Sequence, residues 1–235
     1  MLVIGIEGFE LTAPDRRRLC APQVGGVILF TRNFASRAQL QDLVASIRAL
    51  RGGAFPLCVD QEGGPVQRFR GDGFTRLPPL ARIGELHDRD PAAALRMAEM
   101  HAWLMASELR ACDVYLSCAP VMDLQRCNRI IGERALHREP RVVAELGAAY
   151  LRGMRLAGMA GTAKHFPGHG TVAEDTHVEP ATDPRDPDTL RAEDLVPFAS
   201  GFAAGAEAVA GKKVSVPAAP STAALPAKAT TQGHP

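Results

Sequence analysis

The sequence predicts an α/β chain made of repeated βα units around a parallel sheet. Two observations carry this: short runs of branched apolar residues recur along the chain, and segments with a helical apolar period separate them. The runs fall at residues 2–6, 24–30, 56–59, 114–119 and 159–163, with 206–209 as a sixth candidate. Between the second and third, Leu40, Leu43, Val44 and Ile47 share one helical face behind a Ser36/Gln39 capping pair, and Gly52-Gly53 supply a stop. A second helix starts at Asp90-Pro91 and repeats Leu95, Ala98, Ala102, Met105 and Leu109. A third starts at Pro140, carries Val143, Leu146, Tyr150 and Met154, and ends at Gly158. Each helix leads directly into a strand. This alternation suits either a doubly wound sheet or a (β/α)8 barrel, and the pattern alone leaves both open. A barrel usually needs roughly 250 residues, so five or six strands in 235 residues suggest a sheet that does not close.

Composition narrows the function classes. A chain that is 46% hydrophobic can bury one large core, and a formal net charge of +1 with interspersed signs provides no basic field for nucleic acid or anionic lipid. No stretch approaches a membrane span, and the start, with Glu7 after a short apolar run, reads as no signal peptide, so a cytoplasmic chain is expected. Five cysteines, Cys20, Cys58, Cys112, Cys118 and Cys127, form an odd set without a Cys-x-x-Cys and read as reduced core residues. Before Gly211 the chain uses arginine and a single lysine, Lys164; after it come Lys212, Lys213 and Lys228 with no arginine or acid. The Ala/Pro/Ser/Thr-rich stretch 211–235 shows no period and is expected to be a disordered tail to a domain spanning 1–210.

Chemistry concentrates at the ends of the expected strands, where barrel enzymes keep their active sites. Lys164-His165-Phe166-Pro167-Gly168-His169-Gly170 follows one such strand, and the position of the sole early lysine there points to a buried or ligand-facing ammonium. The i, i+4 histidines match the spacing of a zinc helix, but Pro167 and Gly168 break a helix and no third ligand is spaced nearby, so no metal is expected. Downstream, Asp175 lies two residues from His177, where a carboxylate can hold an imidazole's tautomer for proton transfer; a pair like this is also common on surface loops. The run Asp60-Gln61-Glu62-Gly63-Gly64, with Arg68 and Arg70 beyond, offers an acceptor for sugar hydroxyls and donors for oxygen, although a Gly-Gly turn with solvated charges has the same composition. Arg134, in Gly132-Glu133-Arg134, adds another guanidinium.

Taken in order, residues 28–33, the Asp60–Gly64 run with Arg68, residues 131–134, residues 164–170 and Asp175-x-His177 resemble the successive motifs of family 3 glycoside hydrolases of the bacterial β-N-acetylglucosaminidase type, over about residues 1–210. The resemblance implies a TIM-type barrel, here incomplete, with five or six of its eight βα units. It implies retaining cleavage of terminal β-linked N-acetylglucosamine, usually from muropeptides in peptidoglycan recycling, with no cofactor. His177 would be the acid/base and Asp175 its partner, while Asp60, Arg68, Arg134, Lys164 and His165 would grip the sugar. Two departures stand out. Pro65 replaces a common Arg, and the nucleophilic Asp of a later Ser-Asp-Asp-like motif has no counterpart, since no Asp follows Asp194. A retaining route needs that nucleophile, so impaired hydrolysis is expected, the alternative being a non-catalytic sugar-binding remnant. Open sheet edges would favour self-association.

Overall fold

The computed structural model describes residues 1–51, 55–175, 179–212 and 214–215. His177, the Gly52-Gly53 stop and most of the 211–235 stretch lie outside them. The chain runs β1 (Leu2–Ile4), α1 (Ala13–Leu19), β2 (Val24–Leu29), α2 (Arg37–Arg51), β3 (Leu57–Val59), the short pair β4 (Gln61–Gly63) and β5 (Val66–Gln67), α3 (Ala81–His87), α4 (Pro91–Arg110), β6 (Leu116–Ser117), α5 (Pro140–Leu156), β7 (Ala160–Phe166), β8 (Ala181–Thr182), α6 (Pro187–Ala192), α7 (Leu195–Ala203), β9 (Ala208–Gly211) and β10 (Val214–Ser215).

Six strands form one parallel sheet in the order β1-β2-β3-β6-β7-β9. Spatial order follows chain order without reversal, which excludes the doubly wound alternative with its switch point and identifies a curled, incomplete (β/α)8 barrel. The sixth strand candidate is real and runs on to Gly211, one residue past the 1–210 boundary that composition suggests. Beyond it Lys212 N–H donates to the Phe166 carbonyl (2.8 Å), and β10 pairs in parallel with β8.

The three long helices form where the apolar periods lie. Leu40, Leu43, Val44 and Ile47 are the buried residues of α2. Ser36 Oγ accepts from Gln39 N–H (3.1 Å), but Gln39 Oε1 reaches back to the Ala35 N–H (2.8 Å), one residue before the expected box. Asp90 caps α4 by accepting from Ala93 N–H (2.9 Å), with Pro91 at the first turn. The helices α4 and α5 pack on each other and α5 packs on β7, with Ala98, Ala102, Met105, Leu146, Tyr150 and Met154 fully buried. Two of the five cysteines depart from the expected core placement: Cys20 follows α1 and Cys127 lies in a loop, and both are exposed. Among the described residues no helix is long and apolar enough to cross a membrane.

Candidate active site

A parallel sheet delivers the carboxyl ends of all its strands to one edge, and here the chain places its charged residues there. Asp60 directly follows β3, Cys118 directly follows β6, and Lys164 and His165 occupy the last residues of β7. The register of β7 against β9 shifts between Lys164 and Phe166, a bulge of the kind that re-aims side chains. Together with Val66, Arg68, Arg134, Ala210, Gly211 and Lys212, these four residues line a cleft of about 280 Å³.

Charge in this cleft is paired in a definite pattern. Lys164 Nζ lies 2.8 Å from Asp60 Oδ1 and 2.5 Å from Glu62 Oε1. Arg134 grips Glu62 with two parallel bonds, Nε to Oε2 and a terminal nitrogen to Oε1, both 2.9 Å. Arg68 approaches Asp60 at 3.6 Å, and its Nε is buried with no protein partner among the described residues. Burial alone would raise the Asp60 and Glu62 carboxyls, but the Lys164 ammonium with the arginines holds both below their usual range. Burial would likewise lower Lys164 and Arg134, yet Glu62 between them keeps both raised. All four groups therefore stay charged near neutrality, and the Asp60 carboxylate keeps one-fifth of its side-chain surface exposed.

Behind the cleft wall Asp123, fully buried, accepts from His165 Nδ1 (2.6 Å), from the His169 backbone N–H (2.7 Å) and from the His165 backbone N–H (3.3 Å). Asn128 joins its amide nitrogen to His169 Nδ1 (2.9 Å). Gly170 must be glycine because a Cβ there would strike the Leu124 carbonyl oxygen. The segment 164–170 is thus strand followed by turn, not a helix that could present His165 and His169 on one face.

Five of the seven site residues expected from the sequence, Asp60, Arg68, Arg134, Lys164 and His165, share the one cleft. Burial holds the Lys212 and His169 values below their ordinary range, and Asp175 lies close enough for its charge to oppose this at both. His177 lies outside the described residues. The structure adds Glu62, Asp123, Asn128, Cys118 and Lys212, none of which the sequence singles out as a site residue. Glu62 belongs to the Asp60–Gly64 run, so its place in the chain is a usable signal; Asp123 and Asn128 act on partners 42 and 41 residues away, which no local pattern reveals. The acids near the chain's later part are occupied elsewhere. Asp183 and Asp194 pair with Arg185, Asp186 caps α6, Asp188 pairs with Arg191, and Glu207 accepts from Gly161 N–H (2.8 Å) at the opposite end of β7.

Comparison with known proteins agrees with this fold. Residues 5–232 match the glycosyl hydrolase family 3 N terminal domain. A beta-hexosaminidase of Stenotrophomonas maltophilia (strain R551-3) is 61% identical over 209 residues, 89% of this chain and 62% of that protein. One from Xylella fastidiosa (strain M12) is 55% identical over 228 residues, 97% of this chain and 68% of that protein. The crystal structure of NagZ from Neisseria gonorrhoeae in complex with N-trifluoroacetyl-D-glucosamine superposes with a TM-score of 0.88 at 43% identity, covering 92% of this chain and 64% of that one. The chain thus spans somewhat under two thirds of the length of most of these proteins, and within that span it belongs to glycosyl hydrolase family 3, as its N-terminal barrel domain.

Proposed function

We propose that the cleft binds a terminal β-linked N-acetylglucosamine and that the chain carries the sugar-gripping and proton-transfer part of a retaining β-N-acetylhexosaminidase. The observation that carries this reading is the convergence of Asp60, Arg68, Arg134, Lys164 and His165, from four separated segments, on one cleft. Sugar hydroxyls both donate and accept, and the cleft answers with the Asp60 carboxylate and the Arg68 guanidinium, whose side chains are 20% and 31% exposed. The N-trifluoroacetyl-D-glucosamine complex of the Neisseria protein supports a hexosamine as the ligand.

In this reading His177, oriented by Asp175, protonates the departing glycosidic oxygen and later takes a proton from the attacking water. A covalent intermediate needs a carboxylate on the other face of the anomeric carbon. Glu207, the only acid after Asp194, is engaged at the far end of the sheet, so hydrolysis by these 235 residues is impaired. Peptidoglycan fragments in the cytoplasm are the substrates we assign, a setting that suits five free thiols. The outer strands β1 and β9, with Leu2, Val3 and Val209 exposed, favour self-association, which sedimentation of the purified chain would reveal.

Calorimetry with N-acetylglucosamine and a chromogenic N-acetylglucosaminide test the reading together. Saturable binding with little turnover is expected. Robust turnover abolished by His177→Ala would overturn the impairment, and absence of binding would overturn the sugar site. Binding with no turnover at all favours the second reading, a non-catalytic sugar-binding remnant, which the intact pairing of the cleft cations supports.

A further inference from the structure

We propose that Asp123 is a positioning residue that fixes His165 in its Nδ1–H tautomer, so that the ring offers Nε2 to the cleft as a hydrogen-bond acceptor and selects a ligand hydroxyl able to donate to it. The selectivity half rests on the sugar reading above; the tautomer half stands on geometry alone.

An ionised carboxylate only accepts, so the 2.6 Å contact between Asp123 Oδ2 and His165 Nδ1 places a hydrogen on Nδ1. The other carboxylate oxygen is already committed to the backbone N–H groups of His165 and His169. These donors keep Asp123 ionised: burial pushes its carboxyl up, and the His165 side chain with the two backbone bonds brings it below the usual range. Asp123 has no exposed side-chain surface, whereas His165 reaches the cleft wall. With Nδ1 turned inward, the ring nitrogen left for a ligand is Nε2, and in a neutral ring it carries a lone pair and no hydrogen.

The neighbouring histidine is set the opposite way. Asn128 Oδ1 accepts from the N–H groups of Ile130 (2.8 Å) and Ile131 (3.0 Å), and its amide nitrogen also donates to the Val172 carbonyl (2.6 Å). That fixes the orientation of the amide, so its nitrogen donates to His169 Nδ1 and the hydrogen of His169 sits on Nε2. Two imidazoles 6.3 Å apart thus hold contrary tautomers.

Asp123→Asn separates positioning from folding. The asparagine keeps an oxygen for the two backbone N–H groups but turns an NH2 toward Nδ1, which favours the Nε2–H tautomer of His165. The ring nitrogens of the 15N-labelled chain, observed by NMR at about pH 8, above the ordinary imidazole range, report this directly. We expect a bare Nε2 on His165 and a bare Nδ1 on His169 in the parent chain, with only His165 reversed in Asp123→Asn. A bare Nδ1 or a doubly protonated ring on His165 in the parent chain would overturn the tautomer assignment even if the variant failed to fold. For selectivity, N-acetylglucosamine analogues with single hydroxyls replaced by fluorine, which cannot donate, are titrated against both proteins. One position should cost the parent chain about tenfold in affinity, and Asp123→Asn should recover most of it. If the sugar binds and every analogue binds equally, the selectivity half is wrong. If no sugar binds, the sugar reading itself has failed, and the spectra still decide the tautomers.

Discussion

Two clusters of buried charge differ in what faces them: one knits a loop together, and the other lines a cleft. At the neck of the loop after β7, Arg185 is enclosed by Asp183 (2.5 Å), Asp194 (2.8 Å) and Glu193 (3.0 Å), while Glu193 also meets Arg126 (2.6 Å). Asp194 additionally accepts from Thr171 Oγ1 (3.3 Å) and lies where a Cβ on Gly168 would go, so this cluster ties the outgoing limb of the loop to the returning one. At the strand ends, Glu62 binds Lys164 and Arg134 as tightly, while Asp60 and Arg68, with 20% and 31% of their side chains exposed, face the cleft. Buried ion clusters rarely add stability over apolar packing. A cluster held within a loop neck therefore fixes geometry, and one whose carboxylate and guanidinium face a cleft can also meet something that arrives from outside.

Acid should produce the largest effect, because both clusters depend on carboxylates. Asp60, Glu62, Asp123 and Asp183 all have folded values held below the ordinary ones, burial raising each and their cationic or N–H partners outweighing it. Their contribution is fully present above about pH 4, near the unfolded values, and is lost as pH falls through the depressed folded values. Lys164, raised, behaves oppositely: its contribution is complete below about pH 10 and disappears as pH climbs through its folded value. Unfolding followed by circular dichroism across pH should show cooperative loss on the acid side; a chain equally stable at about pH 2 would remove the basis for both clusters.

Glu62→Ala comes next. It leaves Arg134 and Lys164 buried beside each other, and a loss of about 3–5 kcal/mol in urea unfolding is expected, together with loss of sugar binding. Arg185→Leu strips Asp183 and Asp194 of their partner, but Arg185 keeps 20% of its side chain exposed, so about 2–3 kcal/mol is expected after allowance for solvent. Sugar affinity should change little. If Arg185→Leu abolished binding as Glu62→Ala does, the distinction between the two clusters would fail. Thr12→Ala, far from both, removes the cap formed with Asp15 and should cost about 1 kcal/mol without touching the cleft.

Much of the architecture is legible in the order of the amino acids, and for physical reasons. The apolar periods of α2, α4 and α5 are wide enough to specify buried faces, and the strand runs are separated by helices that only a parallel sheet accommodates. What stays hidden depends on distant partners. The choice between barrel and doubly wound sheet is made by strand order, which a sequence does not display. Asp123 looks like one acid in a loop until β7 brings His165 against it, and Lys212 looks like tail composition until β9 carries it to the cleft. The short helices α1, α3, α6 and α7 escape because six to nine residues hold too few turns to show a period.

We propose that the charged cluster at the strand ends is a sugar site. A crystal structure of this chain grown with N-acetylglucosamine tests it most directly. We expect a hexosamine seated among Asp60, Arg68, Arg134, Lys164 and His165, with the Arg68 guanidinium donating to a sugar oxygen and His165 Nε2 receiving a hydroxyl. A sugar found on another surface, or these five side chains pointing away from one another, would contradict it.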